Sequence, residues 1–263
     1  MTDAWNPVIY DRFKAERSQP FVDLVGLVRG RTPRLVDLGC GTGELTRRAV
    51  EALGSTDALG IDHSPAMLVD AAAHALRGRL RFVEGDIGGW TADRDCDLVL
   101  ANASLQWVPD HPAVLARWTA ALAPGGQIAV QMPTNAAYPS HTVAVEVARE
   151  KPFVSAFGPA GPPLDPVAAY VGSPQAYAQL LFDLGYAEQC VRLQVYAHVL
   201  PETRSVVDWV AGTTLTRFER VLTPERYEQF LARYEERLVE VLGDRRPFLF
   251  PFQRLLIWGR RPG

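Results

Sequence analysis

Five short apolar runs, spaced so that helices fit between them, constrain this 263-residue chain more than any other feature. Arg34–Leu38, Ala58–Asp62, Leu80–Glu84, Asp97–Ala101 and Gly126–Gln131 read as strands, with helical patterns over about 44–53, 65–76 and 112–122. Parallel neighbours need a crossover of about a dozen residues or more, and each spacing leaves room for one. Such alternation predicts an α/β fold with a mostly parallel sheet and helices on both faces. After Pro133 the rhythm changes. Residues 152–174 hold six prolines and three glycines, a density that reads as a long loop or lid. Val191–Leu200 and Phe252–Gly259 read as the last strands of a seven-stranded sheet. Between them, 204–221 and a helix opened by Thr223-Pro224 and ended by Gly243 form a helical insertion. The expected organisation is one domain over 1–263. Within it lie a ligand-binding core at 30–135, a lid and helix at 136–190 and an insertion at 203–246.

The first strand runs into Asp37-Leu38-Gly39-Cys40-Gly41-Thr42-Gly43-Glu44 and then into a helix, which is where open parallel sheets bind ligands. Gly39 and Gly41 are expected to let the backbone approach a ligand, and Gly43 to make a tight turn. Glu44 stands where the dinucleotide fingerprint needs its last glycine, and no Gly-Lys-Ser/Thr follows for a phosphate loop. Asp62 ends the second strand, where a carboxylate can accept from both hydroxyls of a ribose. Asp86 follows the third strand, placed to take a donor such as an adenine amino group, and Asn102 follows the fourth. One such acid is ordinarily a solvated loop residue; a series at the ends of consecutive strands is not. This acidic ring disfavours a phosphate ligand and suits a cationic nucleoside, which points to S-adenosylmethionine.

Asp37–Gly43, Asp62, Asp86 and the Pro124-Gly125-Gly126 turn together resemble the class I S-adenosylmethionine-dependent methyltransferases over about residues 30–135. The resemblance implies a Rossmann-like sheet and this cofactor, and leaves the acceptor open. A narrower resemblance, to the trans-aconitate 2-methyltransferase family, covers nearly the whole chain. It rests on Trp5-Asn6-Pro7 with Tyr10 and Phe13, Ala15–Ser18, Gly60-Ile61-Asp62, Ser64–Met67, Ala101–Trp107 and Pro109-Asp110-His111. Ala129–Pro133, Asp208-Trp209-Val210 and Phe250-Pro251 complete it. It implies methylation of a carboxylate of a tricarboxylic acid. The departures fall in 152–176 and around Leu215–Phe218.

A carboxylate nucleophile is already ionised at neutral pH, so no general base is required and none is evident. The cofactor side is assigned to Asp37, Gly39, Cys40, Gly41, Gly43, Asp62, His63, Met67, Asp86, Ile87, Asn102 and Trp107. Asn102, Gln106 and Trp107 are expected to position the reactants. Tyr10, Gln131, Tyr170, Arg217 and Arg254 are candidates for the acid, because arginine pairs bidentately with carboxylates. Each has a plainer reading. Tyr10 and Phe13 could simply pack a helix, Trp107 could be core, His111 could be an exposed helix entry, and any arginine could be a surface charge. Trp209 reads as helix core, and Cys40 as a small packing residue rather than a reactive thiol.

The net charge of −3 argues against a nucleic-acid binder, and it divides unevenly. Residues 1–133 carry 13 basic against 16 acidic side chains, and 134–263 carry 14 of each. Lys14 and Lys151 are the only lysines, so 25 of 27 basic residues are arginine, which genome composition alone could produce. Cys40, Cys96 and Cys190 are far apart and odd in number, which fits a reducing cytoplasm and offers no metal spacing. No apolar run is long enough to span a membrane, and the N-terminus lacks a signal-peptide pattern. The resemblance implies a small polycarboxylate as partner, and charge, cysteine spacing and hydropathy give no sign of a metal, nucleic acid or membrane. The competing readings are a methyltransferase for another small acid, a fatty-acyl carrier or a quinone, and a non-catalytic module that only binds the cofactor.

Overall fold

The computed structural model describes residues 14–263, with side chains from Ser18 onward. The expectations for Tyr10 and Phe13, and the Trp5-Asn6-Pro7 entry, lie outside the described residues. Helix α1 (Lys14–Val25) leads to β1 (Arg34–Leu38), α2 (Glu44–Leu53), β2 (Asp57–Asp62), α3 (Pro65–Ala71), β3 (Leu80–Glu84) and β4 (Cys96–Asn102). Then come α4 (His111–Ala120), β5 (Leu122–Pro133), α5 (Pro139–Ala148), α6 (Pro166–Tyr170), α7 (Pro174–Asp183) and β6 (Glu188–Leu200). Helices α8 (Ser205–Ala211), α9 (Thr216–Glu219) and α10 (Pro224–Leu242) precede β7 (Phe248–Arg260).

The seven strands form one sheet in the order β3-β2-β1-β4-β5-β7-β6. The pairs β1·β2, β1·β4, β2·β3 and β4·β5 are parallel, and β5·β7 is antiparallel. Chain order reverses between β1 and β4, so the loop after β1 opens at a topological switch point.

Two compact units divide the chain from Ser18 on. One comprises 18–133, 170–194 and 254–263; the other comprises 134–169 and 195–253. In the first, alternate residues of each strand serve opposite faces, as a period of two requires. Val36, Val99, Ala101, Ile128, Val130, Leu255 and Ile257 pack with Leu115 and Trp118 of α4 and Leu181 of α7. Their neighbours Leu35, Leu98, Leu100, Ala129, Leu256 and Trp258 pack with Phe21 and Leu24 of α1 and Val50 of α2. The second unit has its own core, in which Phe230, Tyr234 and Leu238 of α10 meet Val143 and Val147 of α5, Trp209 of α8 and Phe250 of β7. Trp209 is thus core, as its helical spacing implies.

Several boundaries differ from the sequence reading. Strand β5 starts at Leu122, because Leu122 pairs with Cys96 and the Pro124-Gly125-Gly126 turn is a bulge inside the strand rather than its start. The helix expected over 65–76 stops at Ala71 and tightens to a 3-10 turn at Ala72–His74, where the chain turns back into β3. Residues 85–95 carry no helix; β3 and β4 are not neighbours, so no compact crossover is needed. The proline-rich stretch contains a 3-10 turn at Val154–Phe157 and helix α6, since Pro166 sits at a helix start, where its missing N–H costs nothing. The 204–221 segment holds the two short helices α8 and α9, in keeping with a helical insertion. Among the described residues, no helix is long and apolar enough to cross a membrane.

Candidate functional site

The loop after β1 is held by backbone bonds: the Gly39 and Cys40 N–H groups both donate to the Ile61 carbonyl, at 2.8 and 3.0 Å. Gly39 has φ 86°, and a Cβ there would lie 2.2 Å from Cβ of Ser104. The space that glycine leaves is therefore taken by Ser104, whose hydroxyl donates to the Leu38 carbonyl at 2.5 Å, and not by a ligand as the sequence suggested. Gly41 is different. Its φ is 54° and no described residue lies within 4 Å of a Cβ built there, so among the described residues its backbone faces open space.

Asp62, at the end of β2, braces this loop. Its Oδ2 accepts from Gly41 N–H at 2.8 Å and its Oδ1 from Ser64 N–H at 3.0 Å. A carboxylate has about four acceptor positions, so two remain. Ser64 caps α3 by accepting from Met67 N–H. Met67 is half-buried, and His63 is exposed with Nδ1 3.6 Å from Asp62 Oδ1.

Asp37 is buried beneath the loop. Its Oδ2 accepts from the Thr46 hydroxyl at 2.5 Å, whereas Oδ1 is buried with no partner among the described residues. Burial pushes its pKa up to about 7; the Thr46 bond pulls the other way, and the Asp62 charge adds to the rise. Cys40 is buried, and burial beside the Asp37 and Asp62 charges drives its thiol well above the usual range, which fits a packing role. Asp86 is exposed and closes its own turn, accepting from Gly88 and Gly89 N–H at 2.9 and 3.0 Å. Ile87 is half-buried against the core.

Asn102 is the last residue of β4, paired in register with Gln131 of β5. The Gln131 amide satisfies its neighbours with its nitrogen donating to Asn102 Oδ1 at 2.9 Å and its oxygen accepting from Arg254 Nη1 at 3.2 Å. The structure thus brings together three of the singled-out residues at one strand end. Gln106 is buried, not a lining residue in the open, and its amide donates to the Ala103 carbonyl at 2.7 Å. Trp107 is 53% exposed and is not core. His111 is buried rather than an exposed helix entry. Its Nε2 meets the Leu105 carbonyl at 2.9 Å and its Nδ1 the Tyr177 hydroxyl at 2.5 Å, which also accepts from Gly172 N–H. Burial lowers the His111 pKa, leaving a neutral ring donating through Nε2 and accepting from Tyr177. Tyr170 is half-buried at the end of α6.

In the second unit, Arg217 is nearly enclosed and its Nη1 lies 2.9 Å from Asp165 Oδ2. That oxygen also meets His141 Nδ1 at 2.8 Å, and His141 Nε2 faces the Thr214 hydroxyl at 3.4 Å. Burial would raise the Asp165 pKa, but the His141 bond and the Arg217 charge outweigh it and hold the carboxyl far below the usual range. Asp165 and His141 went unnoticed in the sequence, as did Ser104. Asp165 has a local signal, an acid directly before a helix-starting proline; the other two are defined only by distant partners. Among the described residues no group of His, Cys, Asp and Glu could hold a metal ion.

Residues 35–126 match the family model described as "Methyltransferase domain". Among solved structures, the chain is similar to the YcgJ protein of Bacillus subtilis (TM-score 0.58, 13% identity, covering 93% of this chain and 98% of that one). It is also similar to a Haemonchus contortus phosphoethanolamine N-methyltransferase 2 solved with S-adenosyl-L-methionine (TM-score 0.53, 15% identity, covering 97% and 53%). At such identity these show the fold. Curated relatives go further. The trans-aconitate 2-methyltransferase of Mycobacterium tuberculosis is 38% identical over 96% of this chain and 95% of its own, and that of Acidovorax ebreus 37% over 98% of each. That of Methylobacterium radiotolerans is 41% identical over 88% of this chain and 87% of its own, and the chain belongs to the trans-aconitate 2-methyltransferase family.

Proposed function

We propose that this chain transfers a methyl group from S-adenosylmethionine to a carboxylate of trans-aconitate, giving a monomethyl ester. The observation that carries the reading is similarity over nearly the whole chain, and not only the cofactor half, to enzymes bearing that name. The residues present suit the cofactor. Gly41 faces open space, Asp62 keeps unused acceptor capacity, and Asp37 Oδ1 is a buried acceptor without a donor. Asp62 would take the ribose hydroxyls and Asp86 a base donor. Asp37, Cys40, Gly41, Gly43, His63, Met67, Ile87, Asn102 and Trp107 would form the rest of the cofactor side.

When bound, the sulfonium supplies an electrophilic methyl group. The chain's own work is to hold a carboxylate oxygen in line at about 3 Å, with water kept out. No residue need take a proton, because the acceptor is ionised well above pH ~4. Gln131, fixed between Asn102 and Arg254, would orient the acid, with Tyr170 and Arg254 answering its other charges. Three free cysteines support a cytoplasmic setting.

Methyl-labelled cofactor incubated with trans-aconitate, cis-aconitate, citrate, isocitrate and a neutral quinone tests this. Labelled ester should form first with trans-aconitate. No ester from any acid would end the proposal, and preference for the quinone would reassign the acceptor class.

A further inference from the structure

Arg217 carries an unexplained feature. Its Nη1 is paired with Asp165, yet Nε and Nη2 are both buried and have no hydrogen-bond partner among the described residues. Those two N–H groups lie on one edge of the guanidinium and point the same way, the spacing that matches the two oxygens of a carboxylate. Two charged donors left buried and unpaired are costly, so an arginine in this state suits an anion. The ring of Phe218 lies under the guanidinium, its centroid 4.8 Å from Cζ, and limits rotation. On the opposite side, Asp165 Oδ2 takes Arg217 Nη1 and His141 Nδ1 together, and Asp165 Oδ1 accepts from Val167 N–H at 3.0 Å. Asp165 is thereby fixed from three directions and in turn fixes Arg217. Its side chain is 10% exposed and those of Arg217 and His141 12% and 5%, so water contributes little to this alignment.

We infer that the Nε/Nη2 edge of Arg217 is a carboxylate-recognition site for a polycarboxylic acid, with Asp165 and His141 as its positioning residues. This rests on the proposed acid substrate but goes beyond it, by naming which donors of this unit read a carboxylate and what holds them. A surface arginine would not need this support, and a purely structural ion pair would use the bidentate edge on Asp165 instead of a single Nη1 contact.

Two readouts test the inference. Direct calorimetry measures binding of trans-aconitate and of the saturated propane-1,2,3-tricarboxylate, so it does not depend on turnover. Arg217→Lys, which keeps the charge but loses the edge, should weaken both on the order of 10- to 100-fold. Asp165→Asn should weaken them by less, and kinetically each change should appear in KM rather than kcat. Arg217→Ala should regain binding when guanidinium or methylguanidinium ion is added, which a merely structural role would not produce. Thermal unfolding of each variant separates misfolding from loss of recognition. Binding by Arg217→Lys within twofold of wild type, in a folded protein, overturns the inference. So does an Arg217→Ala protein that stays folded and is not rescued. If wild type makes no ester yet binds the tricarboxylates through Arg217, the site stands and the reaction is wrong. If wild type binds neither acid, the site falls as well.

Discussion

Replacing Asp62 by asparagine changes almost no volume yet breaks the loop's bracing. The carboxylate accepts from two backbone donors, Gly41 N–H on one oxygen and Ser64 N–H on the other. An asparagine can place its oxygen toward only one of them, and must turn its own NH₂ donor toward the second. One charge-assisted hydrogen bond is lost outright, worth about 1.5–3 kcal/mol, and the other is weakened by loss of charge. The side chain is only 11% exposed, so solvent makes up little of this. Urea denaturation without cofactor should therefore show a stability loss of about 2 kcal/mol. Cofactor affinity measured by calorimetry should fall further, on the order of 10- to 100-fold, since ribose hydroxyls would meet the same altered group. A stability loss with unchanged cofactor affinity would place the ribose elsewhere while leaving the bracing intact. No change in either quantity would refute the reasoning altogether.

Gly39→Ala should cost about 2–5 kcal/mol in urea, summing ~1–3 for overpacking and ~1–2 for a left-handed backbone; adding Ser104→Gly should return only the steric part, because that Cβ is the one met at 2.2 Å. A fully restored double variant would show that backbone conformation contributes nothing. Asp37, raised from 3.8 to about 7 by burial, holds a proton in the folded state that the unfolded chain releases, so its contribution is complete below pH ~4 and lost as pH rises through about 7. Stability of the cofactor-free protein should carry a falling component of up to about 1.4 kcal/mol per pH unit across that window, absent in Asp37→Asn; an identical slope in the variant contradicts the assignment. Tyr177→Phe leaves His111 Nδ1 and Gly172 N–H without their shared partner, so it should lower stability by about 1–3 kcal/mol while cofactor affinity holds, and a loss under about 0.3 kcal/mol would show that water replaces the hydroxyl.

Much of the sheet was readable because its signals are local. The β1 and β3 runs, the α2 helix and the Thr223-Pro224 to Gly243 frame of α10 match the structure residue for residue, each bounded by a strand pattern, a glycine or a cap. Asp62 was legible for the same reason, standing where a strand ends next to a glycine loop. What failed to show was long-range. The identity of Gly39 is explained by Ser104 across the sheet, and the burial of His111 by Tyr177, 66 residues away. Nothing in Leu105–Asp110 announces either. The proline count of 152–174 ruled out a long helix but not a short one starting at Pro166, and so concealed Asp165. Arg217 was picked for its charge, whereas the fact that distinguishes it from the other arginines, a buried unpaired edge, exists only in three dimensions.

The central claim is that a sulfonium methyl moves onto an oxygen of a carboxylate. Base treatment of the product tests it most directly, because an ester of that kind hydrolyses to labelled methanol whereas a methyl on carbon or nitrogen does not. With methyl-labelled S-adenosylmethionine and trans-aconitate, label should appear in the acid product and be released as volatile methanol on raising the pH. Label that survives base, or no transfer to the acid at all, would contradict it.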